Sequence, residues 1–155
     1  MELEDFKKEY SLKAKKFKLP DFGNLEENFE MGKVETDDLV LRSVRKTMME
    51  RAINTLGFFE MLLNPMNAPR MYHGFLNSLT TGDTKKIEEM YAKLAGLSVA
   101  SLEREIDYSE KGEAELIVEI SKTWDSIKPD FKEILGKMKS PGNGNNGKRE
   151  RSYFG

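Results

Sequence analysis

The chain has 155 residues, with 25 Lys+Arg against 27 Asp+Glu, one His and no Cys. This composition excludes a disulfide framework, a thiolate nucleophile, Cys-ligated zinc or iron–sulfur centres, and every metal motif that needs two imidazoles. The length suits one domain with tails, and 34% charged against 38% hydrophobic residues favours helices with broad solvated faces.

The start, Met1-Glu2-Leu3-Glu4-Asp5-Phe6, is charged and does not read as a signal peptide. Residues 1–35 read as an N-terminal arm. Residues 5–18 fit a helix with Phe6, Tyr10 and Phe17 on one side, and Leu19-Pro20-Asp21-Phe22-Gly23 reads as a turn. Phe22, Leu25, Phe29 and Met31 follow among acids. Two fates are open for this arm: packing its aromatics on a helical core, or docking a partner as a mobile element.

The first long helix is predicted over residues 36–63. Thr36 suits its N-cap, and Asp37 and Asp38 suit the positive end of the helix dipole. Its apolar stripe runs Leu41, Val44, Met48, Ala52, Thr55, Phe59, Leu62 in steps of three or four. Asn64-Pro65 stops it. A short helix starts near Pro69 and carries Met71, Tyr72, Phe75, Leu76 and Leu79. Most of this Met and aromatic content reads as core. Thr80 to Asp83 is a turn in which Asp83 can cap a further helix bearing Ile87, Met90, Tyr91 and Leu94. Gly96 reads as the C-terminal cap of that helix. Residues 97–107 then form another helix through Val99, Leu102 and Ile106.

The last long helix is predicted over 109–139. Ile117, Ile120, Trp124, Ile127, Phe131, Ile134 and Met138 alternate steps of three and four, an a/d seam. Pro129 should kink it. Such a seam can also pair with its copy in a homodimer. No strand pattern competes. The expected fold is all-α: an antiparallel helical bundle of two long and about three short helices over 36–139. An N-terminal arm (1–35) and a disordered, flexible Gly/Asn-rich C-terminal tail (140–155) flank it.

The charge is blocked along the chain: +2 over residues 1–18, −6 over 19–38, +3 over 39–81, −3 over 82–140 and +2 over 141–155. Gly142-x4-Gly147-Lys148 resembles the start of a phosphate-binding loop, but no strand precedes it and Arg149 stands where Ser or Thr should bind magnesium. His73 reads as an ordinary packing or surface residue. The carboxylate pairs Glu26/Glu30, Glu103/Asp107 and Glu115/Glu119 read as solvated helix faces. No catalytic residue, metal ligand or cofactor is nominated.

Two groups remain as candidate contacts. Arg149, Arg151, Tyr153 and Phe154 form a basic-aromatic tail suited to binding a protein partner. Lys13, Lys15 and Lys16 on the arm, with Arg42, Arg45 and Lys46 on the first long helix, could face nucleic acid. The overall acidity, with a pI of about 5.6, counts against a dedicated nucleic-acid binder. The leading expectation is a non-enzymatic protein–protein interaction or scaffold protein in the cytoplasm, with an unidentified protein partner or a second copy and no membrane. A nucleic-acid-binding protein comes second, and an enzyme with a carboxylate-lined cleft third.

Three stretches also carry a resemblance. They are Leu19-Pro20-Asp21-Phe22 followed by Phe29-Glu30, the Arg45-Lys46 helix ending Leu62-Leu63-Asn64-Pro65, and Glu113-Ala114-Glu115 through Trp124 to Lys128-Pro129. Over about residues 5–138 the chain resembles a set of archaeal α-helical proteins with no assigned activity. The resemblance implies an all-helical fold and a cytosolic archaeal setting, and supplies no functional residues.

Overall fold

The computed structural model describes residues 1–140. Among them every regular element is helical and no strand occurs. Helix α1 (Leu3–Phe17) has Glu4 and Asp5 in its first turn and Lys15 and Lys16 in its last, matching the helix dipole at both ends. It stops where Lys18 turns left-handed, with φ 57°, so that the N–H groups of Lys18 and Leu19 both donate to the Ala14 carbonyl. The expected turn at Leu19 to Gly23 leads directly into α2 (Phe22–Asn28), because Asp21 caps it by accepting from the Asn24 N–H at 2.7 Å.

Helix α3 (Val40–Leu63) starts four residues later than Thr36. Asp37, not Thr36, organises its entry: one carboxylate oxygen accepts from the Leu39 N–H and from the Ser43 hydroxyl, both at 2.9 Å. A 3₁₀ turn (Pro65–Asn67) follows α3, and the short helix expected from Pro69 is broken into a second 3₁₀ turn (Arg70–Tyr72) and a four-residue α4 (His73–Leu76). Helix α5 (Thr81–Ile106) begins in a reciprocal cap. The Asp83 N–H donates to the Thr80 hydroxyl at 3.1 Å, and the Thr80 N–H donates to the Asp83 carboxylate at 2.9 Å.

Gly96 does not end this helix; α5 runs through it without a break. Leu94 and Leu97 on either side are both buried, and that burial outweighs the roughly 1 kcal/mol a mid-helix glycine costs. Helix α6 (Glu110–Lys139) likewise continues through Pro129, with Ile127 and Ile134 buried on either side of it.

Two compact units divide the chain, and α3, α5 and α6 each contribute to both. The first takes Met1–Thr55 and Leu94–Trp124. Its core joins Phe6, Tyr10, Leu25, Phe29 and Met31 to Val44, Met48, Leu97, Ile117 and Ile120. The arm aromatics are thus packed: the Phe29 ring lies 5.8 Å from the Trp124 ring, and the Tyr10 hydroxyl donates to the Pro20 carbonyl at 2.7 Å. Burial, reinforced by the Asp21 charge, pushes the Tyr10 pKa above its ordinary range.

The second unit takes Leu56–Lys93 and the chain from Asp125. Phe58, Phe59 and Phe131 form a ring cluster there, with the Phe59 and Phe131 centroids 4.9 Å apart edge to face. Lys137 donates to Asp83 at 2.6 Å and Lys86 to Glu133 at 3.1 Å.

The α6 seam is buried within the chain, through Ile117, Ile120 and Trp124 in the first unit and Ile127, Ile134 and Met138 in the second. Phe131, the remaining seam position, is half-buried beside Phe59. Among the described residues no helix is long and apolar enough to cross a membrane.

Two outcomes check these assignments. Gly96→Ala is expected to stabilise the chain by about 1 kcal/mol in urea melts, because a helical glycine with nothing near its absent Cβ gains propensity. A left-handed cap at that position would instead lose about 1–2 kcal/mol. Asp83 gives the second. Burial opposes its charge, but the hydrogen bonds from Lys137 and Thr80 outweigh burial and hold its pKa below the usual carboxylate value. Its contribution to stability is therefore complete at neutral pH and disappears as pH falls through the lowered pKa. Asp83→Asn should lower Tm at about pH 7 and show a shallower loss of Tm between about pH 7 and pH 3 than the parent chain.

Candidate interaction face

The first unit contains a buried charge cluster. Arg45 on α3 is 1% exposed, and Glu113 on α6 is 0% exposed. The Arg45 guanidinium grips Glu113 with two parallel bonds, Nε donating at 2.7 Å and Nη2 at 3.0 Å. Its Nη1 donates to the Ser101 hydroxyl and to Glu105, both at 2.9 Å, on α5. Arg42 Nη2 donates to the other Glu105 oxygen at 2.9 Å, so two guanidiniums balance two carboxylates. Burial works against the Arg45 charge, yet its bonds to Glu113 and Glu105 raise its pKa further. The bond from Arg45, opposed by burial and helped by Arg42, holds Glu105 below the ordinary glutamate range.

These polar groups sit where apolar ones are due. Leu41, Arg45, Met48 and Ala52 are one stripe of α3, and Glu113, Ile117, Ile120 and Trp124 are one stripe of α6, each spaced by four, three and four residues. Leu94, Leu97, Ser101 and Glu105 form the matching stripe of α5. Every stripe holds at least one hydrogen-bonding residue, and those residues meet. A base and an acid lying in phase with two apolar seams is the signal from which this cluster could have been read.

The cluster sets how α5 is turned. With Ser101 and Glu105 facing Arg45, a second stripe, Ala95, Val99, Leu102 and Ile106, lies roughly 120° round the helix at 100° per residue. Val99 is 60%, Leu102 65% and Ile106 88% exposed. The sequence predicts these three as a packing stripe. The structure corrects this, because Leu94, Leu97 and Ser101 already occupy the inward side.

The nominated basic residues are mostly engaged. Lys13 donates to Glu110 at 2.6 Å, with Lys16 3.8 Å from the same carboxylate. Arg42 and Arg45 belong to the cluster above. Arg45 is corrected as a nucleic-acid contact: buried and bound on several sides, it has no access to a phosphate. Lys15 and Lys46 are exposed. The tail residues Arg149, Arg151, Tyr153 and Phe154 lie outside the described residues.

His73 lines a half-open apolar cavity of about 570 Å³ in the second unit, with Leu62, Pro65, Met66, Leu76 and Leu79. Glu103, Glu115 and Glu119 share a cleft of about 400 Å³ with Arg104 and Lys111, so its charge is mixed. Among the described residues no three His, Cys, Asp or Glu side chains gather where a metal could be held. Comparison with protein-family models, curated proteins and solved structures finds no match.

A double-mutant cycle tests the cluster. Arg45→Met alone leaves the Glu113 carboxylate buried without its partner and should cost about 3–5 kcal/mol in urea unfolding. Arg45→Met with Glu113→Leu should regain most of that loss, since an apolar pair of similar size fills the site. If the two single losses simply add in the double variant, the pairing described here is wrong.

Proposed function

We propose that this chain is a non-enzymatic helical interaction protein, and that the outward stripe of α5 in the first unit is its contact surface. The observation that carries the reading is the exposure of Val99, Leu102 and Ile106 on one face of one helix. Contiguous apolar side chains held in water are a standing cost, and burying each against a partner recovers about 1–2 kcal/mol. The helices act as the scaffold. The link between α5 and α6, residues 107–109, is short enough to favour antiparallel neighbours in a bundle. The nucleic-acid reading has less support, because Lys13, Lys16, Arg42 and Arg45 are all paired with carboxylates.

Leu102→Glu separates contact from fold. Leu102 is exposed, so the variant should unfold within about 0.5 kcal/mol of the parent. Immobilised chain is offered its own labelled copy and native lysate. The parent should retain polypeptide that the Leu102→Glu chain releases. Equal retention by both would sink the reading.

A further inference from the structure

We propose that the aromatic pair Tyr153-Phe154 of this chain is the occupant of the half-open cavity in the second unit, with Phe154 as the ring that enters it and Tyr153 at its rim. The apolar wall is Leu62, Pro65, Met66, Leu76 and Leu79, none of which belongs to the outward stripe of α5. Leu76 and Leu79 are only half-buried and Met66 is 94% exposed, so apolar surface meets water both on the wall and at the mouth. At about 570 Å³ the cavity falls within the roughly 300–1,000 Å³ of sites that enclose a compact organic group. Its few polar neighbours, His73, Asn77 and Thr84, suit an aromatic ring with a polar group beside it.

The course of the chain brings this occupant to the site. Lys137, in the last turn of α6, donates to Asp83 at 2.6 Å. Asp83 shares a reciprocal cap with Thr80, and the residues on either side of that turn, Leu79 and Thr84, both line the cavity. The end of α6 is therefore fastened to the rim of the cavity. Beyond Ser140, where the described residues stop, twelve residues, 141–152, precede Tyr153, and those from Gly142 to Gly147 are all Gly or Asn. A Gly-rich linker of that length spans about 17–21 Å on average and about 40 Å at full stretch. That is enough to enter a cavity whose rim begins one residue from the Asp83 anchor. Such a tether holds its far end at an effective concentration of about 1 mM, so a contact with a Kd of about 1 mM is half-formed.

Composition selects the residues. Apart from Pro141, Tyr153 and Phe154, positions 141–155 hold only Gly, Asn, Ser and charged side chains. Phe154 has no polar atom to desolvate, whereas the Tyr153 hydroxyl needs water or a hydrogen bond and stays at the rim. Met66 at the mouth is unbranched and adaptable, and its sulfur makes favourable contact with an aromatic ring. The basic-aromatic segment thereby acts within its own chain: it closes the cavity to other apolar groups, and drawing Tyr153-Phe154 away opens it.

Nitroxide broadening in the full chain tests this. The chain has no Cys, so Ser152→Cys carries a single nitroxide next to the aromatic pair. Leucine methyls are enriched in ¹³C, and spectra are recorded at about 50 µM, where a contact of about 1 mM between separate chains is mostly unformed. The methyl signals of Leu62, Leu76 and Leu79 should broaden severalfold relative to the same sample with its nitroxide reduced. The labelled chain that also carries Phe154→Ala should regain them. Sharp signals at all three leucines, or broadening that survives Phe154→Ala, overturns the proposal. A second sample mixes unenriched nitroxide chain with enriched chain that has no nitroxide. Its signals should stay sharp, and broadening there would make the contact one between chains and overturn docking within one chain.

Discussion

Arg45 has to find partners for a buried guanidinium, and the first unit is arranged around that requirement. A charge removed from water costs several kcal/mol unless hydrogen bonds and an opposite charge replace the water. Glu113 supplies the paired acceptors, Glu105 and Ser101 supply the rest, and all three reach Arg45 from helices other than its own. Three helices are thereby tied in one rotational setting. An apolar contact tolerates a small slip of one helix past another, because burial depends on area and not on direction. A bidentate guanidinium–carboxylate pair does not tolerate it. The cluster adds little net stability against an apolar replacement. Its effect is to make other settings of α5 costly.

Function follows from that setting in a short chain of cause. Helix α5 has two apolar stripes, and hydrophobicity alone does not choose between them. Ser101 and Glu105 lie on one of them, and their bonds to Arg45 turn it inward. Val99, Leu102 and Ile106 are left in water as a consequence. The exposed face is therefore not a failure of packing. It is the remainder when a polar requirement elsewhere in the unit has been met.

Local rules recovered much of the fold. The α6 seam was legible because its seven apolar positions keep one phase over three heptads and have no competing stripe. The arm was legible as aromatic-rich, and its packing follows from Phe6, Tyr10 and Phe29 needing burial. Boundaries were less legible where a side chain acts across several residues. Asp37 displaces Thr36 from the start of α3, and burial of Leu94 and Leu97 carries α5 through Gly96. The candidate face was hidden for a deeper reason. Periodicity finds stripes but does not say which of two is inside. Arg45 looked like a surface base because its partners lie 56 to 68 positions away in the chain. A base on one seam and an acid on another is the one local trace the pairing leaves in the sequence.

The Arg45 cluster turns one stripe of α5 inward and the other outward. Thiol labelling tests it most directly, because the chain contributes no Cys of its own. Leu97→Cys and Leu102→Cys are each labelled under native conditions at about 1 µM, dilute enough to leave a weak contact at this face open. The thiol at 102 should react nearly as fast as in the unfolded chain, and the thiol at 97 only through rare opening. A protected thiol at 102 beside a freely reacting one at 97 would contradict it.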